Sequence, residues 1–173
     1  MQLLLDTEKL QQALVNLAQQ LAHEMTPEAQ TVLVGIRSRG VPLAHRLAGL
    51  LQATSAQKIP VGSLDITLYR DDLHQRRRWP VVKGTDIPFS LEDTRVILVD
   101  DVLFTGRTVM AALTALADLG RPALVRLVTL IDRGHREFPI QADYAALTLD
   151  TAPGDRINVR LQETDGIDEV VLL

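Results

Sequence analysis

Two adjacent acids and a short Thr/Gly loop follow an apolar run in residues 96–108, which read Val-Ile-Leu-Val-Asp-Asp-Val-Leu-Phe-Thr-Gly-Arg-Thr. Carboxylates suit the vicinal hydroxyls of a ribose, and backbone N–H groups at a helix start suit a phosphate. Asp100, Asp101 and the loop up to Thr108 offer both within nine residues. The segment therefore predicts a sugar-phosphate site.

Asp100 and Asp101 are also compatible with two other interpretations. Acids at a strand end often form a turn or cap a helix, and paired acids can also bind a metal. No histidine or further acid lies at coordinating spacing nearby, and the loop that follows favours an anion. Gly106 permits backbone angles that let N–H groups converge on a phosphate, while Thr105 and Thr108 add hydroxyl donors.

The composition of the chain limits the classes of protein to which it can belong. With 173 residues and 46% hydrophobic content, the chain is long enough for one buried core. It has no cysteine, which excludes a disulfide framework, a thiolate metal site and a cysteine nucleophile. The N-terminus lacks the pattern of a signal peptide, and no apolar run approaches the roughly 20 residues of a membrane span. We expect a soluble, cytoplasmic protein with no membrane partner.

Hydrophobic periodicity predicts alternating helices and strands along the chain. Asp6 is a candidate helix cap and Pro42 a candidate first helical residue. The charged stretch from Tyr69 to Lys83 is typical of a long exposed loop or a hairpin. The predicted helices span residues 6–22, 42–51 and 108–119. The predicted strands span residues 31–36, 62–68, 96–99, 125–131, 157–161 and 170–173.

Strands that alternate with helices predict an α/β fold with a mostly parallel twisted sheet flanked by helices. No linker or repeat divides the chain, so we expect one domain over residues 1–173. Ligands of such sheets bind beyond the carboxyl ends of the strands. Three predicted strands end in polar or glycine-bearing loops, at residues 37–40, 100–108 and 132–134, and we expect these loops to meet.

Residues 96–108 resemble the ribose-5-phosphate signature of type I phosphoribosyltransferases, which use phosphoribosyl pyrophosphate (PRPP). The variant with two acids and Val-Leu-Phe-Thr-Gly-Arg-Thr is similar to the bifunctional pyrimidine operon regulator/uracil phosphoribosyltransferase family, PyrR. Colinear likeness covers most of residues 32–161. Its motifs are Leu-Val-Gly-Ile-Arg-Ser-Arg-Gly at 33–40, Asp-Ile-Thr-Leu-Tyr-Arg-Asp-Asp-Leu at 65–73, Val-Lys-Gly-Thr-Asp-Ile-Pro at 82–88 and Ile-Asp-Arg-Gly-His-Arg-Glu-Phe-Pro-Ile at 131–140.

The resemblance implies a type I phosphoribosyltransferase fold with a small hood of terminal segments, and it implies roles for single residues. Asp100 and Asp101 would hold the ribose hydroxyls with Mg²⁺ nearby, and Ser38 and Arg39 would meet the pyrophosphate. Asp100, Asp101 and Arg39 are thereby the candidate catalytic residues. The 5′-phosphate would lie in a cradle formed by Val102, Leu103, Phe104, Thr105, Gly106, Arg107 and Thr108.

Two further regions are assigned by the resemblance alone. Arg133 matches a substrate contact at the base end of the site, and Ile157 matches a position that packs near the uracil. The loop that folds over the substrates in this class would include Tyr69, Arg70, Asp71, Asp72 and Arg78.

The activity implied by the resemblance is conversion of uracil and PRPP to UMP and pyrophosphate. A second implied role is regulation of pyrimidine genes through UMP- or UTP-dependent binding of leader mRNA, and the family forms homodimers or higher assemblies. The alternatives are an RNA-binding regulator with little catalytic role and a phosphoribosyltransferase for another base without RNA binding.

RNA affinity needs a basic surface. The first helix carries only Lys9, and the other candidates for a basic patch are Arg121, Arg126, Arg136, Arg156 and Arg160.

Overall fold

The computed structural model describes residues 1–73 and 83–173. The helices are α1 (Thr7–Leu21), α2 (Gly40–Thr54), α3 (Arg107–Leu119) and the single turn α4 (Gln162–Asp165). The strands, in chain order, are β1 (Gln2–Leu5), β2 (Thr31–Ile36), β3 (Val61–Leu64), β4 (Arg95–Leu103), β5 (Leu124–Asp132), β6 (Tyr144–Thr148), β7 (Ile157–Arg160) and β8 (Glu169–Leu172).

Five strands form a parallel sheet in the order β3-β2-β4-β5-β6. The central strands carry unbroken apolar runs because both faces of the sheet are covered. Every residue of β2 is buried, as are Val96 to Asp100 of β4. Because the strands are parallel, the loops after β2, β4 and β5 lie at one edge, as the sequence predicted.

Helices cover both faces of this sheet. On one face, α1 and α2 bury leucine stripes against β2, β4 and β5 in a core cluster that includes Leu14, Leu47 and Val128. On the other face, α3 packs Val109 and Leu116 in a second cluster. The predicted fold class, a mostly parallel sheet flanked by helices, is therefore confirmed. Within the described residues, no helix has the length and apolar character needed to cross a membrane.

Segments from both ends of the chain form a separate three-stranded antiparallel sheet in the order β1-β8-β7. We call this sheet together with α4 the hood. Val159, Leu161 and Val170 of the hood are buried in the core cluster that α1 and α2 share. The hood predicted for the terminal segments is thus present, and its apolar face is continuous with the main core.

Several predicted boundaries were wrong for local reasons. The strand predicted to Leu68 ends at Leu64, because the Asp65 carboxylate accepts from the Thr67 backbone N–H at 2.9 Å and turns the chain. Helix α2 begins at Gly40 rather than at Pro42. Helix α3 begins at Arg107 rather than at Thr108, and Leu119 at its end is 50% exposed.

Candidate active site

Glycine brings the loop after β2 into contact with the end of β4. A Cβ on Gly35 would lie 2.5 Å from the Gly40 carbonyl oxygen, and a Cβ on Gly40 would lie 2.4 Å from the Val99 carbonyl oxygen. Contacts this short exclude any side chain at either position. The backbone that carries Ser38 and Arg39 therefore lies beside Asp100 and the start of the predicted sugar-phosphate site.

The two acids at the end of β4 are adjacent and largely withdrawn from solvent. The Asp100 carboxylate accepts the backbone N–H of Asp101 at 2.9 Å, and the Asp101 carboxylate accepts that of Val102 at 2.9 Å. Burial raises the pKa of Asp100 well above its ordinary value, and the charge of Asp101 adds to this rise. Burial also raises the pKa of Asp101, against the opposing positive charge of Arg39. Such a pair favours a ligand that supplies hydroxyl donors or positive charge.

The predicted phosphate cradle surrounds a cavity of about 300 Å³ that Val102 to Val109 line together with Arg70, Asp71 and Asp72. Gly106 has a φ of +89°, the left-handed conformation that glycine adopts without strain, and α3 begins at the next residue. Because the first N–H groups of a helix have no acceptor within it, the first turn of α3 offers donors to an anion in this cavity.

Arg107 lies at the rim of the cradle, where it links two neighbouring loops. Its guanidinium pairs with Asp71 of the loop after β3 and, at 2.6 Å, with Glu137 of the loop after β5. It also lies over the Phe138 ring, 4.9 Å from the ring centroid. Arg107 thus holds the walls of the cavity together.

The loop after β2, residues 37–39, is held by partly buried hydrogen bonds from Arg37. Arg37 donates to the Ser63 hydroxyl and to the Gly84 carbonyl, each at 2.9 Å. The ammonium of Lys83 lies 3.3 Å from the hydroxyl of Ser38, which is itself exposed. Arg37 is therefore a structural residue, whereas Ser38 faces the open side of the loop.

The described part of the predicted covering loop, residues 69–73, stays close to the cavity. The Tyr69 hydroxyl donates to Asp118 of α3 at 2.8 Å, and Arg70 pairs with Asp72 at 2.9 Å. The positive charge of Arg70 also acts on Asp100, whose pKa it lowers against the larger effect of burial. Arg78, the remaining residue predicted for this loop, lies outside the described residues.

Arg133 is buried beside Phe104 of the cradle, and its guanidinium holds the segment before β7. It donates to the Thr151 hydroxyl at 3.2 Å, the Ala152 carbonyl at 3.0 Å and the Asp155 carbonyl at 2.6 Å. The same guanidinium lies 4.0 Å from the centroid of the Phe104 ring. These contacts join the phosphate cradle to the start of β7, where Ile157 is half-buried against the main core.

Two residues without a predicted site role also shape these loops. The Asp65 carboxylate accepts from the backbone N–H groups of Lys83 and Gly84 at 2.6 and 2.9 Å, so it joins the two described ends of the loop after β3. Arg136 donates to the Phe104 carbonyl at 2.8 Å and pairs with Asp132 at 2.5 Å. Each lies inside a family motif, which gave no role for it in the site, and Arg136 was predicted only as a candidate for a basic patch.

The donor set at the acids fits magnesium. Within residues 1–73 and 83–173, no group of three histidine, aspartate or glutamate side chains is placed to hold a metal alone. Magnesium commonly binds through one or two carboxylates and completes its octahedron with water and phosphate oxygens. The buried oxygens of Asp100 and Asp101, beside the cradle, match that requirement.

Comparison with known proteins identifies the family of this chain. Residues 2–163 match the family profile described as the phosphoribosyl transferase domain. A curated relative from Chloroflexus aurantiacus, named bifunctional protein PyrR, is 54% identical over 170 residues, which cover 98% of this chain and 93% of the relative. The chain belongs to the PyrR family of phosphoribosyltransferases. A PyrR relative from Deinococcus radiodurans is 49% identical over 98% of this chain and 92% of its own length.

Solved structures similar to this member of the PyrR family include phosphoribosyltransferases that are named for another base. The hypoxanthine phosphoribosyltransferase of Trypanosoma cruzi superimposes with a TM-score of 0.74 at 18% identity, covering all of this chain and 96% of that one. The Staphylococcus aureus enzyme of the same name gives a TM-score of 0.72 at 19% identity, over 98% and 90% of the two chains. At these identities the likeness shows the fold alone.

Proposed function

We propose that this PyrR protein transfers the phosphoribosyl group of PRPP to uracil, forming UMP and pyrophosphate. The observation that carries the proposal is the meeting of three groups of residues at one edge of the sheet. The loop with Ser38 and Arg39, the buried acids Asp100 and Asp101, and the phosphate cradle lie side by side. Each matches one part of PRPP in charge and in hydrogen-bonding type.

The proposed roles follow the chemistry of each group. The cradle from Val102 to Thr108 binds the 5′-phosphate through backbone N–H groups and hydroxyls. Asp100 and Asp101 accept hydrogen bonds from the ribose 2′- and 3′-hydroxyls. Ser38 and the Arg39 guanidinium bind the pyrophosphate, on which negative charge grows as its bond to C1 breaks. The attacking atom is N1 of uracil, so no protein nucleophile is required.

Magnesium held by Asp100, Asp101 and substrate oxygens would neutralise charge on the pyrophosphate. The remaining contribution of the protein is alignment, because it holds the two substrates in line for displacement at C1. At the base end, Arg133 sets the position of residues 151–155 through its three hydrogen bonds, and Ile157 follows directly. We infer that these residues shape the uracil pocket, with Ile157 packing near the base.

A competition between bases tests the proposed substrate. The purified protein is incubated with PRPP, Mg²⁺ and an equimolar mixture of uracil, hypoxanthine, guanine and orotate, and the nucleotides are separated by chromatography. UMP as the dominant product supports the proposal. A dominant purine nucleotide or orotidylate would assign the same site to another base.

A second function, binding of pyrimidine-gene leader mRNA promoted by UMP or UTP, is favoured by membership in a family whose curated members are named bifunctional. Three of the arginines considered for a basic patch already have carboxylate partners. Arg126 pairs with Glu24, Arg136 with Asp132, and Arg160 with Glu169. RNA phosphates would have to compete with these acids, so binding should weaken steeply with salt. A UMP-dependent gel shift with the leader RNA tests this role. If no shift occurs at micromolar protein and low salt, the RNA-binding role is contradicted and the proposed catalytic function stands alone.

A further inference from the structure

An ion pair connects the loop proposed to bind pyrophosphate with the hood. Arg39 Nη2 donates to Asp165 Oδ1 at 2.9 Å, and the two side chains are 33% and 23% exposed. Asp165 is the last residue of α4, a segment that carries none of the predicted site residues. The residue pattern of α4 does not predict a contact with the loop after β2.

The Asp165 carboxylate is itself fixed in place. Its Oδ2 accepts from the Leu161 backbone N–H at 3.0 Å and from the Thr164 hydroxyl at 2.6 Å, so that Oδ1 is left for Arg39. The Thr164 hydroxyl, the Leu161 N–H and the Arg39 guanidinium lower the pKa of Asp165 to about 2. The carboxylate is therefore charged at any pH at which the enzyme would work.

Asp165 uses only part of the hydrogen-bonding capacity of Arg39. A guanidinium has five N–H donors in a rigid planar fork. The Nε of Arg39 is buried and has no hydrogen-bond partner among residues 1–73 and 83–173. The positive charge also reaches Asp101, where it partly offsets the rise in pKa that burial causes. One edge of the guanidinium is thus anchored to the hood while donors remain for an anionic ligand.

The hood does not depend on this ion pair for its attachment. Arg46 of α2 pairs with Glu163 at 2.6 Å and with Asp168 at 2.8 Å, on either side of Asp165 in the sequence. The buried side chains of Val159, Leu161 and Val170 add apolar contact with the main core. The contact between Asp165 and Arg39 can therefore be removed while the hood stays in place.

We propose that Asp165 is a positioning residue that holds the Arg39 guanidinium in the orientation in which it binds the pyrophosphate of PRPP. The inference rests on the proposed function of the site. A free arginine side chain samples many rotamers, and ordering it on binding opposes affinity. A guanidinium already fixed by a rigid carboxylate avoids that loss and meets the leaving group correctly oriented.

Asp165→Asn tests the proposal, with Glu163→Gln as the matched control. The asparagine keeps an acceptor for the Leu161 N–H but loses the charge that holds Arg39. The control neutralises an acid on the same helical turn that pairs with Arg46 instead. Initial rates are measured with PRPP varied at saturating uracil and with uracil varied at saturating PRPP, and calorimetry measures PRPP binding directly. Circular dichroism checks the fold, and Asp165→Ser provides a second uncharged variant should the asparagine variant not fold.

We expect kcat/KM for PRPP to fall about tenfold in Asp165→Asn, the size of a lost charge-assisted contact. The KM for uracil should not change, and Glu163→Gln should stay within about twofold of the wild type. A rate for Asp165→Asn equal to or above that of the wild type would overturn the proposal. An equal fall in both variants would also overturn it, because the effect would then come from hood attachment.

The binding experiment separates failure of this inference from failure of the proposed function. If the wild type binds PRPP but makes no UMP, the proposed reaction fails, and a roughly tenfold weaker affinity in Asp165→Asn still supports the positioning role. If the wild type makes UMP and PRPP affinity is the same in both proteins, only the positioning role fails. A wild type that binds no PRPP would contradict both.

Discussion

Gly40 lies against Val99 so closely that a Cβ on Gly40 would stand 2.4 Å from the Val99 carbonyl oxygen and 3.4 Å from the Asp100 Cα. This contact fixes the distance between the first turn of α2 and the buried acids of β4. In the proposed reaction, that distance sets the spacing between the groups that bind pyrophosphate and those that bind ribose.

Gly40→Ala should therefore damage both the fold and the site. Because the new methyl group meets backbone rather than a flexible side chain, we expect a loss of about 1–3 kcal/mol in the free energy of unfolding. The shift of Ser38 and Arg39 should lower kcat/KM for PRPP. Gly49→Ala in the same helix is the control, because a Cβ on Gly49 would have no described atom within 4 Å apart from the backbone of its own helix. This variant should raise the free energy of unfolding by about 0.5–1 kcal/mol. Similar melting temperatures and rates for the two variants would contradict the proposed spacing.

Asp100→Asn should separate stability from function. The folded protein buries this carboxyl at a raised pKa, so the stability that the group contributes is full below its unfolded pKa, near 3.8, and is lost as the pH rises through the folded value. The asparagine side chain cannot ionise, so the variant does not lose this stability as the pH rises. It should be more stable than the wild type at pH 7 and equally stable near pH 3. Its turnover should fall roughly a thousandfold, in the range seen for lost electrostatic contacts at reacting centres. Thermal melts at the two pH values, with rates at pH 7, test both parts.

The acids of the hood should have the opposite pH dependence. Arg46 lowers the pKa of both Glu163 and Asp168 in the folded protein. The stability that these acids contribute is therefore present above their pKa values in the unfolded chain, near 4.5 and 3.8. It is lost as the pH falls through their lower pKa values in the folded protein. Arg46→Gln should cost about 1–2 kcal/mol at pH 7, since its guanidinium is only 18% exposed and serves two acids. Its stability should then change less than that of the wild type as the pH falls below about 4.5.

Arg160→Gln is the matched control for the hood acids, because Arg160 has one acid partner among the described residues, Glu169, and is 37% exposed. We expect its loss to stay below about 0.5 kcal/mol. Urea denaturation at pH 7 and pH 4 measures both variants. An identical acid profile for Arg46→Gln and the wild type would show that these ion pairs do not stabilise the fold.

Arg133→Lys should affect uracil rather than PRPP. A lysine cannot span the three acceptors on residues 151–155 that the planar guanidinium reaches, so the segment before Ile157 should loosen. We expect the KM for uracil to rise at least roughly fivefold, while the KM for PRPP changes less than twofold. Steady-state kinetics with each substrate varied in turn measure the two KM values separately. A change confined to the KM for PRPP would contradict the proposal that Arg133 shapes the uracil pocket.

The parts of the structure that could be predicted were those encoded locally. Leucine spacing predicted α1, and the apolar run ending in two acids predicted β4 and its loop. The strands that were missed, β1 and β6, are short edge strands without regular alternation between buried and exposed residues. The functions of Arg133 and Asp165 in holding other groups could not be predicted, because their partners come from distant segments that only the folded chain brings together. No residue pattern near Asp165 indicates that it meets Arg39.

The most direct test of the central claim is a reaction of the purified protein with uracil, PRPP and Mg²⁺ in which UMP and pyrophosphate are both quantified. We predict that the two products appear in equal amounts, that removal of magnesium by a chelator stops their formation, and that the double variant Asp100→Asn/Asp101→Asn forms almost none. Absence of UMP with the wild type, or undiminished formation in the double variant, would contradict the assignment of this site.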